Sequence, residues 1–330
     1  MTADLIVTID TEEEGLWSGR FSADEYPVHN IRGIPVFQRL CDDLGIAPTY
    51  LINSPIIEDD YARQTLGDIL HSQRCEIGTH IHPWNTPPRA GEYSAHDSYL
   101  CNLPLHVQRA KLRVVTEQIR QGFDINPTSF RAGRYGLDRR GAQILFELGY
   151  QVDSSVCPYT DYSCDGGPDF RGAPCHPYWV GEQLIQPAAT GDILEVPVSF
   201  GFNRTNFDLA FRIHERLTQP RWRRLRLNGI CDRLGLLQKI KFSPEKGDAP
   251  RLLRLARAYA ENRLPCLVMM FHSSSLVPGN TPYVTTEQAL ARFLAVIREV
   301  LGTCVAELGM RPATLSEFAA NFRTKSQGAI

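Results

Sequence analysis

The chain has 330 residues, of which 43% are hydrophobic and 22% charged, a balance that fits a globular protein with ample core and excludes a disordered or fibrous one. A formal net charge of −2 leaves no basic excess for wrapping a nucleic acid, and no run of 18 apolar residues offers a transmembrane segment. Nine cysteines, an odd number without a Cys-x-x-Cys pair, read as mostly free buried thiols, and no signal-like segment precedes the first apolar run, so the expected location is cytoplasmic.

Leu5-Ile6-Val7 and their neighbours predict a short buried strand over residues 4–9. Asp10, Glu12, Glu13 and Glu14 follow where that strand would end. Carboxylates gathered this closely are costly unless a cation or solvent takes up their charge, so the segment is either an ion site or a solvated acidic turn. A helix over 34–44 with Gly45 as its stop, a strand over 48–52, a helix over 58–73 and a strand over 75–79 come next. This alternation predicts parallel βα units. Residues 83–104, rich in Pro, Gly, Ser and Asn, form a long loop after the third strand, where substrate sites are commonly shaped.

An amphipathic helix over 105–122, a strand end at 128–131, a helix over 138–148 and a strand at 151–153 continue the pattern. Residues 157–181 are irregular, and their Cys157, Cys164 and Cys175 match no usual zinc spacing. Strands are expected at 193–198 and 266–271, and helices at 250–262 and 285–301. From about 203 to 250 the pattern changes to a small helical insertion, in which Arg221, Arg223, Arg224 and Arg226 surround Trp222. That patch is either a solvated helix face or a seat for an anionic group such as a phosphate.

His80 and His82 stand two apart after the third strand, so in extended chain both imidazoles point to one side and, with Glu12, could clasp an ion. Arg131, Asp153 and His272 close other strands. With Asp10 and Glu12, these residues all fall at C-terminal strand ends, where α/β barrels build their active sites.

The ordered set resembles the polysaccharide deacetylase superfamily, the NodB-homology domains of carbohydrate esterase family 4. The residues that carry the likeness are Thr8-Ile9-Asp10-Thr11-Glu12, Glu76 through His82, Phe130-Arg131-Ala132-Gly133-Arg134-Tyr135-Gly136, Asp153-Ser154-Ser155 and Leu267 through His272. It spans residues 5–272 and looks most like the WalW-like branch, tied to cell-surface polysaccharide synthesis. The resemblance implies one catalytic domain over 1–330, a distorted (β/α)7-type barrel carrying the insertion. Two departures stand out: Thr11 replaces the second Asp of the first motif, leaving Glu12 to substitute, and Trp84 stands where the second His of HxxxH belongs, leaving that role to His82.

By the same resemblance, Glu12, His80 and His82 would hold a divalent ion, zinc being favoured by the two-imidazole, one-carboxylate set. Asp10 would act as general base, oriented by Arg131 with Asp153, and His272 would protonate the leaving amine. A backbone N–H near Tyr135 would support the oxyanion, and Trp84, Tyr135, Trp179 and Trp17 offer faces for a sugar ring. The implied activity is hydrolysis of an N-acyl group on an amino sugar, with a phosphorylated or lipid-linked saccharide as a candidate substrate. Two alternatives stay open: hydrolysis of a small non-sugar amide or cyclic ureide on the same fold, and a metal-free barrel that only binds glycan.

Overall fold

The computed structural model describes residues 2–19, 21, 26–89, 93–223 and 226–327. Strand β1 (Asp4–Thr11) is buried along its whole length, because Leu5, Ile6, Val7 and Ile9 leave it no solvent-facing side. Helix α1 (Ile34–Asp43) begins with Pro at its first turn, and the chain returns as β2 (Thr49–Ile52). The helix expected over 58–73 is α3 (Asp60–His71), capped by the Asp59 carboxylate, and a short helix α2 (Ser54–Glu58) that sequence did not mark precedes it, separated by the extended Asp59. Strand β3 (Glu76–Ile81) runs longer than expected and takes in His80. Next come α4 (Leu105–Phe123), β4 (Ser129–Ala132), α5 (Arg139–Glu147) and β5 (Val152–Asp153).

The chain then turns irregular through β6 (Tyr178–Val180), β7 (Pro187–Ala188) and β8 (Leu194–Glu195). The insertion is framed by β9 (Phe200–Phe202) and β10 (Lys239–Lys241), antiparallel to each other, with α6 (Phe207–Thr218), α7 (Pro220–Arg223) and α8 (Leu227–Arg233) between them. Helix α9 (Ala249–Glu261), β11 (Cys266–His272), α10 (Glu287–Ala306), β12 (Arg311–Pro312) and α11 (Leu315–Gln327) complete the order.

The strands β11, β1, β2, β3, β4, β5 and β8 lie side by side and pair in parallel, the βα pattern expected from sequence. The ladder does not close into a barrel, since β8 and β11 are not paired. Short stretches around Ser199 and Phe242 bridge that seam instead. Ser199 N donates to Val268 O, Phe242 N donates to Ser199 O, and Met270 N donates to Phe242 O. Val268 N also donates to the Ser199 hydroxyl at 2.8 Å. Among the described residues no helix is long and apolar enough to cross a membrane.

Candidate active site

Register carries the polar residues to one end of the sheet. Asp10 lies opposite His272 across β1 and β11, and His80 opposite Arg131 across β3 and β4. Because side chains alternate along a strand, Asp10 and Glu12 can face the same interior while Thr11 turns away, its hydroxyl donating to Ile9 O. The acidic run therefore splits. Asp10 meets Arg131, Glu12 meets the histidines, Glu13 passes behind His82, and Glu14 accepts from the backbone N–H of Asn30 at 2.6 Å.

Glu12 Oε2 lies 3.0 Å from His80 Nε2 and 3.2 Å from His82 Nε2, and the two nitrogens are 3.2 Å apart. All three side chains are buried. A tetrahedral zinc with ligands at about 2.0–2.1 Å sets its donors about 3.3 Å apart, so the triangle has the size of one face of such a shell. Glu12 Oε1 is buried without a hydrogen-bond partner, which leaves that oxygen free to ligate. Among the described residues these three form the group able to hold a metal ion, and no such group forms at Cys157, Cys164 and Cys175. The donor set thus fits a divalent cation.

Charge balance points the same way. Burial would raise the Glu12 carboxyl, but His272 with hydrogen bonds from His80 and His82 holds it well below the carboxylate range. Burial would lower His82, yet Glu13 and Glu12 raise it to about 10. An ion held here would have to displace a proton from His82, because a ligating imidazole nitrogen is bare.

Sequence reasoning missed the residue that fixes His82. Glu13 accepts from His82 Nδ1 at 2.9 Å, from the Trp84 indole N–H at 3.0 Å and from Asn53 Nδ2 at 2.6 Å. A carboxylate behind an imidazole sets the tautomer and the aim of the other nitrogen. Trp84 is buried, with its ring stacked on His82 at 4.2 Å, so much of its apolar face is committed to the histidine. From the other side comes Gly133, where an added Cβ would stand 2.2 Å from His82 Cδ2. The acidic run itself was the signal for Glu13; its role needed the third dimension.

Asp10 Oδ1 accepts from Arg131 at 2.6 Å, and the guanidinium, with no exposure at all, also donates to Thr8 Oγ1, Ser154 O and Ser154 Oγ. Burial would raise Asp10, but Arg131, His80 and His272 outweigh it and keep the carboxyl below its ordinary value. Asp153 feels the charge of Arg131 but does not hydrogen-bond to it. Its carboxyl accepts from Ser155 Oγ at 2.6 Å and faces Glu195, its cross-strand neighbour on β8, while Ser154 is the residue that steadies Arg131. Burial raises both Asp153 and Glu195, and two facing buried carboxyls favour holding one proton between them over ionising together.

His272 has a carboxylate of its own. Glu245, from the end of the insertion, accepts from His272 Nδ1 at 3.0 Å, from its backbone N–H at 3.1 Å and from Ser275 Oγ at 2.6 Å. Burial would lower His272, but Glu245 and Glu12 raise it to about 9, which favours the charged imidazole. No pattern in the sequence marks Glu245.

These groups line a cavity of about 400 Å³ shared with Trp17, Arg134, Tyr135, Lys241, Lys246 and Tyr283. Trp17 stands edge-on to His272 and to Tyr283, whereas Trp179 packs on Phe322 at the far end of the sheet and cannot serve a sugar here. Arg134 and Tyr135 are consecutive non-glycine residues at φ of 52° and 61°, a strained left-handed pair of the kind found at functional sites. Lys241 donates to the Tyr135 hydroxyl at 2.7 Å. Neither Arg221 nor Arg226 lines the cavity. Arg224 lies outside the described residues, as do the side chains of Trp222 and Arg223. A larger groove of about 740 Å³ runs past Arg171, His176 and Asn206, without a metal-capable cluster among the described residues.

No family model matches the chain, and no curated protein sequence does. Among solved structures, a Mycobacterium smegmatis protein provisionally named a polysaccharide deacetylase is similar over 98% of this chain and 91% of its own, with a TM-score of 0.58 and 15% identity. Puue allantoinase is similar over 98% of this chain and 90% of its own, with a TM-score of 0.50 and 12% identity. The 4-alpha-glucanotransferase of Thermococcus litoralis matches 97% of this chain but only 40% of its own, with a TM-score of 0.54 and 11% identity. The fold is therefore a mixed α/β sheet of the (β/α)7-barrel kind seen in polysaccharide deacetylase structures. At its C-terminal strand ends this chain sets a Glu-His-His cluster between an arginine-held carboxylate and a carboxylate-held imidazole.

Proposed function

We propose that the protein is a metal-dependent hydrolase that removes an N-acetyl or similar acyl group from an amino sugar, cleaving a C–N bond other than a peptide bond. One observation carries the reading: three ligand atoms, an arginine-held carboxylate and a carboxylate-held imidazole converge on one cavity. The likeness in fold to a deacetylase structure supports the saccharide as substrate.

Glu12, His80 and His82 would hold the ion, zinc by preference, which when bound supplies Lewis acidity at the acyl carbonyl and a readily ionised water. Asp10, kept charged by Arg131, accepts a proton from the attacking water. His272, charged and aimed by Glu245, returns a proton to the departing amine. The backbone N–H of Tyr135 supports the developing oxyanion. Trp17 and Tyr283 offer aromatic faces to a pyranose ring, and Lys241 and Lys246 meet an anionic substituent, as on a phosphorylated or lipid-linked precursor.

Elemental analysis of the purified protein beside a His82→Ala variant, followed by assay of acetate release from N-acetylated amino sugars, tests this. Metal in the parent, its loss in the variant and metal-dependent release support the reading. A parent that takes up no metal on reconstitution overturns it.

A further inference from the structure

Among the described residues nine large apolar side chains are exposed, and five of them belong to the insertion: Leu209, Ile213, Ile230, Leu234 and Leu236. Helix α6 has two apolar sides. Phe207, Ala210, Phe211 and Leu217 turn to the core, while Leu209 and Ile213 stand 53% and 42% exposed. Leu209, Arg212, Ile213 and Arg216 fall at i, i+3, i+4 and i+7, hence on one stripe, with both arginines exposed.

Helix α8, packed against α6, repeats the device with Ile230, Arg233 and Leu234 at i, i+3 and i+4. Leu234 is 65% exposed, and the turn at Gly235, φ +66°, carries on to Leu236 at 52%. An added Cβ at Gly229 or Gly235 would meet nothing within 4 Å, so this edge stands clear of the body of the protein.

Charge selects the occupant. Residues 204–236 hold eight arginines against three carboxylates, in a chain whose net charge is −2. Two of those carboxylates are already engaged from outside the insertion, Asp232 by Arg251 at 2.7 Å and Glu215 by Arg171 at 3.9 Å. A second copy meeting the same face would set arginine stripe on arginine stripe, which disfavours a symmetric dimer. Aliphatic tips alternating with arginines, whose stems lie along apolar surface while their heads reach for anions, match an interfacial helix pair.

We propose that this outer face of α6 and α8 docks on an anionic lipid surface. The apolar side chains enter the headgroup boundary while Arg212, Arg216 and Arg233 meet lipid phosphates. Strand β10 leads from this face directly into the cavity wall at Lys241, so docking brings the cavity near the headgroups. The inference stands apart from the chemistry at the cavity and survives or fails without it.

Co-sedimentation of the full chain with vesicles of mixed phosphatidylglycerol and phosphatidylcholine, against phosphatidylcholine alone, tests the proposal. Binding is expected only to the anionic vesicles, weakening as salt rises. Because the residues are exposed, a Leu209→Ser, Ile213→Ser, Leu234→Ser variant should keep its melting temperature and any hydrolase activity on soluble substrate while binding at least about tenfold more weakly. An Arg212→Gln, Arg216→Gln, Arg233→Gln variant should lose the salt dependence. Absence of vesicle binding, or binding unchanged in the serine variant, overturns the proposal. So does a wild-type dimer in light scattering that the serine variant abolishes, or capture by polyglutamate without capture by vesicles.

Discussion

Lys111 is a fully buried lysine in the middle of α4, and replacing it with methionine should unsettle the candidate site from 20-odd residues away in sequence. Its ammonium donates to Pro83 O at 2.7 Å, Thr86 O at 2.6 Å and Pro88 O at 2.7 Å, one proton for each acceptor. Burial and the nearby Arg89 pull it down to about 8, which still leaves it charged at pH 7. Methionine matches its length and offers no donor. Each carbonyl left unpaired costs about 1–3 kcal/mol, and relief from burying the charge, with some access of water to the loop, returns part of that. The net expectation for Lys111→Met is a loss of about 3–5 kcal/mol in equilibrium urea unfolding at pH 7. The loop it ties down carries Trp84, which stacks on His82, so metal affinity should fall with stability. A loss below about 1 kcal/mol, with metal affinity unchanged, would refute the view that this lysine clamps the loop.

Glu13→Gln should weaken metal binding about 10–100-fold, measured by competition with a chromophoric chelator, because the imidazole of His82 loses its charged acceptor. An affinity within twofold of the parent would reduce Glu13 to packing. Gly133→Ala should perturb the same imidazole by contact alone, and metal affinity should drop while Gly235→Ala, far from the cavity, leaves it intact. For the shared proton of Asp153 and Glu195 the sign is set by the raised pKa. The folded state holds a proton that the unfolded chain releases above about pH 4.3, so this pair makes stability fall as pH rises from there, by up to about 1.4 kcal/mol per unit. In Glu195→Gln the amide donates to Asp153 without taking up a proton, and the stability difference between variant and parent should grow with pH; parallel profiles would contradict the shared proton.

Much of the site was legible because it depends on spacing along strands. His80 and His82, two apart, share a side in any extended chain, and apolar runs before Asp10 and His272 placed both residues at strand ends. What was hidden depends on which strands become neighbours. Nothing local to Asp153 tells that Glu195 will stand across from it, so the carboxyl looked available to Arg131. Glu245 arrives from the end of an insertion whose arginines dominate its composition, and its role exists only because the chain just after β10 lies against β11, where Met270 N donates to Phe242 O. Lys111 sat as an ordinary polar residue of an amphipathic helix; its burial follows from three carbonyls contributed by a loop over twenty residues earlier.

The unclosed seam divides the machinery into two halves with different mechanical footing. Asp10, His80 and Arg131 rest on β1, β3 and β4, with Glu12 one residue past the end of β1, inside the continuous ladder, where displacing one strand means breaking its bonds to neighbours on both sides. His272 stands on the ladder's edge strand, and its partner Glu245 comes across the seam, tied by scattered bonds through Ser199 and Phe242. A shift of the insertion would be felt first as a change in the proton held by His272, with the ligand triangle undisturbed. Such a layout ties the setting of the His272–Glu245 pair to the position of the insertion and leaves the ligand triangle to the ladder.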